Sequence, residues 1–204
     1  MAGYIGPNGQ TSNTYVDWVP IKTVYPRGES SVIFHDGING VVFDNTYNEY
    51  KFEFVNIHPS VNSTILSFQV NAVGQSGFDE TITSSTFEAE HDEAGSAAAL
   101  QYRTNRDQDQ DAGNQQLGEY IYNDSNSSGI GELIFYSPSS TTYVKHWQSK
   151  FNAHGNSVPQ VSYHAGYINT TAAIDEVKFL MVANDMSASG NIDDGIITLY
   201  GLAK

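Results

Sequence analysis

The chain has 204 residues, a formal net charge of −14 and no cysteine. The absence of cysteine excludes disulfides, thiolate nucleophiles and thiolate zinc sites. The acidic balance argues against a nucleic-acid partner, because phosphate backbones repel a chain of this charge. Residues 1–10 lack the basic and apolar regions of a signal peptide, and no apolar run approaches the ~20 residues of a membrane helix. We therefore expect synthesis in the cytoplasm and no membrane partner.

The first part of the chain predicts an extended arm followed by short strands. Residues 1–14 are rich in Gly, Asn, Ser and Pro, which favours an arm over a packed element. A strand-like run covers Tyr15–Tyr25, and Pro20 inside it indicates an edge strand or a bend. Ser31–His35 predicts a short strand, and the glycine-rich stretch 37–40 predicts a turn.

Two clear strands follow. Tyr47–Ile57 alternates with period two, since its aromatic residues share one face and its charged residues share the other. Thr64–Val70 predicts the next strand, with Leu66, Phe68 and Val70 facing inward. Both patterns indicate a sheet with one buried face.

The signal weakens over residues 74–128. Thr81–Ser85 is a candidate strand, and Ser96–Arg103 reads equally as a strand or as a helical turn. Asp107–Gln116 predicts a polar loop, and Gly118–Tyr122 a short strand. Long excursions of this kind often carry function.

Regular alternation returns near the end of the chain, over Gly131–Ser137, Thr142–Phe151 and Val158–Ile168. The stretch Ile174–Lys204 then predicts a closing hairpin of two apolar strands that lie centrally in a sheet. Many short strands with turn signals between them indicate an all-β fold, an antiparallel β-sandwich or jelly roll. We expect one domain over 15–204, preceded by the arm.

One loop has a pattern that suggests a metal. Asp107, Asp109 and Asp111 alternate as the oxygen ligands of an EF-hand loop do, which makes calcium a candidate. The match is imperfect, because the glycine falls one place late at Gly113 and the twelfth position is Gly118. A solvated acidic loop with no cofactor is the favoured interpretation.

Catalytic patterns are weak throughout. The six histidines form no metal-binding spacing, and no serine lies in a nucleophile elbow. A spatial Ser-His-Asp triad stays open. Crowded acids, which a glycoside hydrolase would need, occur at Glu88, Glu90, Asp92 and Glu93. We expect these to be exposed loop charges, and we expect no enzymatic activity.

Four segments together carry a family resemblance. They are MAGYIG at 1–6, NEYKFEFVNIHPS at 48–60, GELIFYSPSSTTYVKHWQSKF at 131–151, and the ending from Phe179 to Leu202. In this order and spacing they resemble small structural and fibre proteins of tailed bacteriophages, particularly those of marine cyanobacteria and similar hosts. The chain departs from the family pattern at VANDMSASG, 182–190, which is longer than a tight hairpin turn.

The resemblance implies a protein of the virion surface with a β-sandwich or jelly-roll fold. The favoured role is a capsid decoration or cement protein, anchored to major capsid or other virion proteins by its arm through Tyr4, Ile5 and Tyr15. The alternative is a tail-fibre or tail-tip module that binds a host glycan. A homo-oligomer is expected, with a trimer favoured. The long connection near the end predicts a contact loop of Asn184, Asp185, Asn191, Asp193 and Asp194.

Overall fold

The computed structural model describes residues 17–155 and 158–203. Every regular element in these ranges is a β-strand. The strands are β1 (Trp18–Val24), β2 (Val32–His35), β3 (Glu49–Pro59), β4 (Ile65–Ala72), β5 (Ile82–His91), β6 (Ala98–Tyr102), β7 (Asp109–Asp111), β8 (Gln115–Gln116), β9 (Gly129–Tyr136), β10 (Lys145–Gly155), β11 (Val158–Ile168), β12 (Ile174–Val182) and β13 (Ile192–Leu202). The described chain contains no helix with the length and hydrophobicity of a membrane span.

Two antiparallel sheets pack against each other, which confirms the predicted β-sandwich. The large sheet has nine strands in the order β1-β13-β3-β9-β10-β11-β5-β6, with β7 also paired to β5. The small sheet has four strands in the order β2-β12-β4-β8. The small sheet covers one face of the large sheet, and the opposite, outer face forms part of the surface of the described chain.

Aromatic side chains from both sheets fill the core. Phe52 of β3 lies at the centre, with its ring centroid 5.0 Å from that of Phe34 and 4.8 Å from that of Phe179. Phe68 of β4 contacts Trp147 of β10 edge to face at 5.1 Å. Such geometries add about 0.5–1.5 kcal/mol per pair beyond the burial of area. The predicted inward faces of β3 and β4 are confirmed.

The strand β4 is buried on both faces, which the sequence did not predict. Its polar residues Ser67, Gln69 and Asn71 point away from the large sheet and are still buried. The Gln69 amide donates to the carbonyls of Glu80, Ala112 and Gly113, so later segments of the chain cover this face.

The edge prediction for the first strand is confirmed. β1 lies at one end of the large sheet and pairs only with β13. The pairing shifts by one residue between Pro20 and Lys22. Proline has no N–H to donate to a ladder, and this explains why the chain places it at an edge and at a bulge.

The middle of the chain is more regular than predicted. The Ser96–Arg103 segment is a strand, β6, and not a helical turn. The stretch Asp107–Gln116 contains β7 and β8, so it is not one polar loop. Conversely, Gly118–Tyr122 forms no strand, and only Ile121 makes an isolated bridge, to Thr64. The polar composition of this region concealed its strands.

The predicted closing hairpin is wrong. β12 lies between β2 and β4 in the small sheet, whereas β13 lies between β1 and β3 in the large sheet. The connection crosses from one sheet to the other, and the Asn191 carbonyl accepts from Ser60 N–H at the end of β3. Both strands are central, as predicted. Apolar content indicates a central position, but it does not tell which sheet a strand joins.

Candidate functional site

The outer face of the large sheet is open surface in the described chain. Lys150 faces Glu132 on one side and Tyr163 on the other, and Tyr163 faces Phe87. Phe87 in turn faces Tyr102 of the edge strand β6, and Glu132 faces Glu53 of β3. These side chains form one row across the sheet. The side chains that could contact a partner thus lie on one continuous face.

An open groove, the outer groove, crosses this face above β3, β9 and β10. Its volume is about 390 Å³, and its lining is Glu53, Phe54, Val55, Ile130, Gly131, Glu132, Lys150 and Asn152. Val55 and Ile130 are exposed apolar side chains, and Ile130 is 48% exposed. Lys150 faces Glu132 across the strands, so the groove joins an apolar floor to a charged rim.

A second apolar area, the edge patch, consists of Phe87, Tyr163, Leu100 and Tyr102. The rings of Phe87 and Tyr163 stack with centroids 5.0 Å apart and an interplanar angle of 11°. Because each ring covers a face of the other, less ring face is free to stack on a sugar. The Tyr102 hydroxyl donates to Asp107, and Leu100 is 75% exposed. This patch suits contact with protein better than contact with carbohydrate.

A polar cleft of about 550 Å³ opens where β3 and β13 both bulge. Its lining is Asn56, His58, Ser125, Asn126, Ser127, Ser128, Asp193 and Asp194. The bulges put Asn56 at φ 51° and Gly195 at φ 130°, and Asp194 accepts from its neighbour's N–H. Hydroxyl, amide and carboxylate groups line this cleft, and these groups can exchange hydrogen bonds with sugar hydroxyls.

The five predicted contact residues do not form one loop. Asn184 accepts a 2.6 Å hydrogen bond from Arg106, and Asp185 accepts from Ser187 within its own turn. Asn191 is tied by its backbone to the end of β3. Asp193 and Asp194 belong to β13 and line the polar cleft. The structure brings together only the last two.

The three aspartates of the calcium candidate also do not form one site. Asp107 accepts from the Tyr102 hydroxyl, and Asp111 accepts from Gly113 N–H. Asp109 and Asp111 lie in β7, so this part is a strand and not a loop. Within residues 17–155 and 158–203, no group of three or more His, Asp or Glu side chains is placed to hold a metal. The predicted anchoring residues Tyr4, Ile5 and Tyr15 lie outside the described residues.

Sequence reasoning missed a charge cluster inside the sandwich. Arg106 is almost completely buried and donates to both oxygens of Glu119, at 2.8 and 2.7 Å. Arg103 donates to the same carboxylate at 2.7 Å and lies 3.8 Å from Glu88. Glu88 was expected to be an exposed loop charge, and that expectation is wrong. It is buried because it continues the inward row of β5 after Ser84 and Thr86.

The two buried carboxyl groups differ in their acidity. Burial, followed by the proximity of the Glu119 carboxylate, raises the pKa of Glu88 to about 7. Burial alone would also raise the pKa of Glu119, but the hydrogen bonds from Arg106 and the charges of Arg106 and Arg103 outweigh it and lower that pKa. Glu88 therefore keeps its proton up to about pH 7, whereas Glu119 is ionised.

A buried histidine lies on the same inner surface. Nδ1 of His164 is 2.8 Å from the Thr86 hydroxyl, and its Nε2 has no partner. Burial lowers the pKa of His164 to about 3, so the ring is neutral. The cluster and this histidine fix the segment 103–119 and Asn184 against the sheets. Glu88, Arg106, Glu119 and His164 are buried, whereas Arg103 is partly exposed.

Comparison with known proteins gives no match: no family model, no curated protein and no solved structure is similar to this chain. The fold and the surfaces above are therefore interpreted from the chain itself. They define a β-sandwich with two apolar areas on one outer face and a polar cleft at one end.

Proposed function

We propose that this chain is a non-enzymatic structural protein on the surface of a tailed-phage particle, in the role of a capsid decoration or cement protein. The sequence segments at 1–6, 48–60, 131–151 and 179–202 motivate the class of particle. The observation that carries the docking role is the uncovered outer face of the large sheet, with the outer groove across it.

The outer groove has the chemistry of a protein-docking site. Exposed apolar side chains next to a polar rim are typical of interaction surfaces. Val55 and Ile130 supply the apolar part, while Glu132 and Lys150 supply charges that fix the orientation of a partner. In this proposal the groove is where a capsid or tail protein docks.

The arm adds a second attachment in this proposal. β1 begins at Trp18 and is the edge strand of the large sheet, so residues 1–14 lead directly into an edge. An extended segment that orders on docking can add backbone pairing to a neighbouring sheet. Tyr4, Ile5 and Tyr15 are the proposed apolar anchors.

The absence of catalysis in the proposal rests on where the acids lie. Of the crowded acids that a glycoside hydrolase would need, Glu88 is buried inside the sandwich, as is Glu119 of the same charge cluster. Arg103 and Arg106 occupy the Glu119 oxygens, so a substrate has no access to them. We propose that this pair holds the fold together.

The test is incorporation into particles. Ile130→Asp places a charge in the groove and is expected to reduce incorporation at least tenfold, as is deletion of residues 1–14. Ile33→Asp is the matched control, because Ile33 is 47% exposed, nearly the same as Ile130, but lies on β2 of the other sheet. Full incorporation of Ile130→Asp, with a normal unfolding transition, overturns the docking role of the groove.

A second candidate function is a tail module that binds a host glycan through the polar cleft. The observation in its favour is the polar lining that includes Asp193 and Asp194. The probe is an array of host surface polysaccharide fragments. Binding that disappears in Asp193→Asn/Asp194→Asn, and persists in a control with exposed Asp17→Asn, supports the glycan role. No binding by the native protein, with or without calcium, rejects it.

A further inference from the structure

The strand β6 is an open edge of the large sheet. It pairs with β5 on one side, and no strand of the described chain lies beyond it. Ala98, Leu100 and Tyr102 lie on the outer face and are exposed, while Ala99 and Gln101 point the other way. The strand contains no charged residue. Edges of this kind are templates for pairing with another strand.

The backbone groups of this edge are directed outward. Asp92 N–H donates to Ala97, and Arg103 N–H donates to Thr86. Antiparallel ladders alternate, so residues 99 and 101 also bond to β5. The N–H and C=O groups of Ala98, Leu100 and Tyr102 consequently point to the open side, where a new strand would find them.

The other sheet edges are guarded. β1 carries Pro20, a bulge and Lys22, all of which discourage pairing. β2 and β8 are short, with four and two residues. β7, on the same side of the large sheet as β6, has two exposed acids among its three residues. In the described chain each of these edges is thus protected, and β6 is left open.

We propose that β6 is a self-association edge, which pairs antiparallel with β6 of a second copy about a two-fold axis at Leu100. In this register Leu100 faces its own copy, and Ala98 faces Tyr102. It is the register in which all five residues of both strands overlap. The two large sheets then form one continuous sheet, and the two edge patches become neighbours.

Charge and area both bear on this contact. The chain carries a net charge of −14, yet the residues of β6 and of the edge patch are themselves uncharged. The Asp107 carboxylate contacts the patch and is hydrogen-bonded by the Tyr102 hydroxyl. An aromatic side chain buries about 150–250 Å², so the exposed parts of the edge patch offer on the order of 400 Å² per copy. A standard interface buries about 800 Å² per partner. We therefore expect a concentration-dependent dimer, in contrast to the trimer expected from the resemblance.

The first experiment measures the mass in solution. Sedimentation velocity of the full chain, over a hundredfold range of concentration, is expected to show monomer and dimer. Leu100→Lys places two ammonium groups face to face and is expected to weaken the dimer by tenfold or more. Tyr143→Lys is the matched control, since Tyr143 is 72% exposed but lies in a loop. A native protein that stays monomeric, or a trimer that Leu100→Lys leaves intact, overturns the proposal.

The second experiment tests the register. The chain has no cysteine, so Leu100→Cys introduces a single thiol. In a hydrogen-bonded antiparallel pair the Cα atoms are ~5.5 Å apart, within the ~4.4–6.8 Å that a disulfide spans. Leu100→Cys is expected to form the linked dimer faster than Ala99→Cys or Ala98→Cys. Faster linking through Ala99→Cys or Ala98→Cys overturns the register.

Dimer formation through β6 is a property of the chain in solution and does not depend on its proposed role on a phage particle. Ile130→Asp is expected to lose incorporation and keep the dimer, whereas Leu100→Lys is expected to lose the dimer. The failure of either proposal is therefore recognised separately.

Discussion

Arg106 donates to both oxygens of the Glu119 carboxylate inside the sandwich. The carboxyl group of Glu88 is buried in the same cluster, 3.8 Å from Arg103, and its oxygens have no hydrogen-bond partner. Burial and the neighbouring Glu119 carboxylate both disfavour the charged form of Glu88, whereas Arg103 and Arg106 favour the charged form of Glu119. The stability of the fold should therefore depend on pH in a way that single substitutions can separate.

Glu88→Gln is expected to stabilise the protein at alkaline pH. The pKa of Glu88 is raised from 4.5 to about 7 in the folded state. Between pH 4.5 and about 7, the folded chain therefore binds a proton at Glu88 that the unfolded chain does not. This stability is present below pH 4.5 and is lost as the pH rises through about 7. Glutamine has nearly the same shape as protonated glutamate and never ionises. We expect a gain of about 2–3 kcal/mol at pH 8 and little change at pH 4.5, measured by urea unfolding; an equal gain at both values contradicts this explanation.

Arg106→Met is expected to destabilise the protein by about 3–5 kcal/mol. The substitution leaves the buried Glu119 without its two hydrogen bonds from Arg106 and also releases Asn184. The exposed Arg27→Met serves as control and should change the free energy of unfolding by less than about 0.5 kcal/mol. Equal effects of the two substitutions in chemical denaturation contradict a role for the cluster.

His164→Gln is expected to reduce acid sensitivity. The pKa of His164 is lowered to about 3 in the folded state. At pH values below 6.5, the unfolded chain therefore binds a proton at His164 that the folded chain does not bind until the pH approaches 3. This contribution is present above pH 6.5 and is lost as the pH falls towards 3. The native protein should lose up to about 3 kcal/mol between pH 6.5 and 4 through this group. The measurement is the free energy of unfolding across this range, with exposed His146→Gln as control. An unchanged slope in His164→Gln contradicts the prediction.

Gly131→Ala is expected to destabilise by about 1–3 kcal/mol or more. A Cβ atom at Gly131 would lie 2.5 Å from the Lys150 carbonyl oxygen and 2.6 Å from the Phe151 ring. Phe151→Leu in the same chain should recover part of the loss, because it removes the ring contact but leaves the carbonyl in place. Additive losses in the thermal unfolding of the double variant contradict this account.

Local pattern predicted the sandwich wherever polarity and burial agree. β3 shows this well, since Tyr50, Phe52 and Phe54 alternate with charged residues and face the core. The prediction weakened at β5, because its buried row contains Ser84, Thr86 and Glu88, while Phe87 faces solvent. A polar interior depends on partners that lie far along the chain, and no short window contains them.

The surfaces were predicted only in part. The sequence singled out Asp193 and Asp194, and the structure places them in the polar cleft. They lie near Asn56 and His58 because β13 pairs with β3. The outer groove likewise depends on β9 lying between β3 and β10. Sheet order is long-range information, which explains why these surfaces emerged only from the fold.

The placement of β13 between β1 and β3 also affects the order in which the sheet is assembled. β1 pairs with β13 alone, and β13 lies almost the whole described chain later. During synthesis, β1 and one side of β3 therefore stay unpaired until the ribosome has released β13, which lies near the end of the described residues. Contacts of such long range form slowly, and we expect this half of the sheet to close last and to be the part that a chaperone protects.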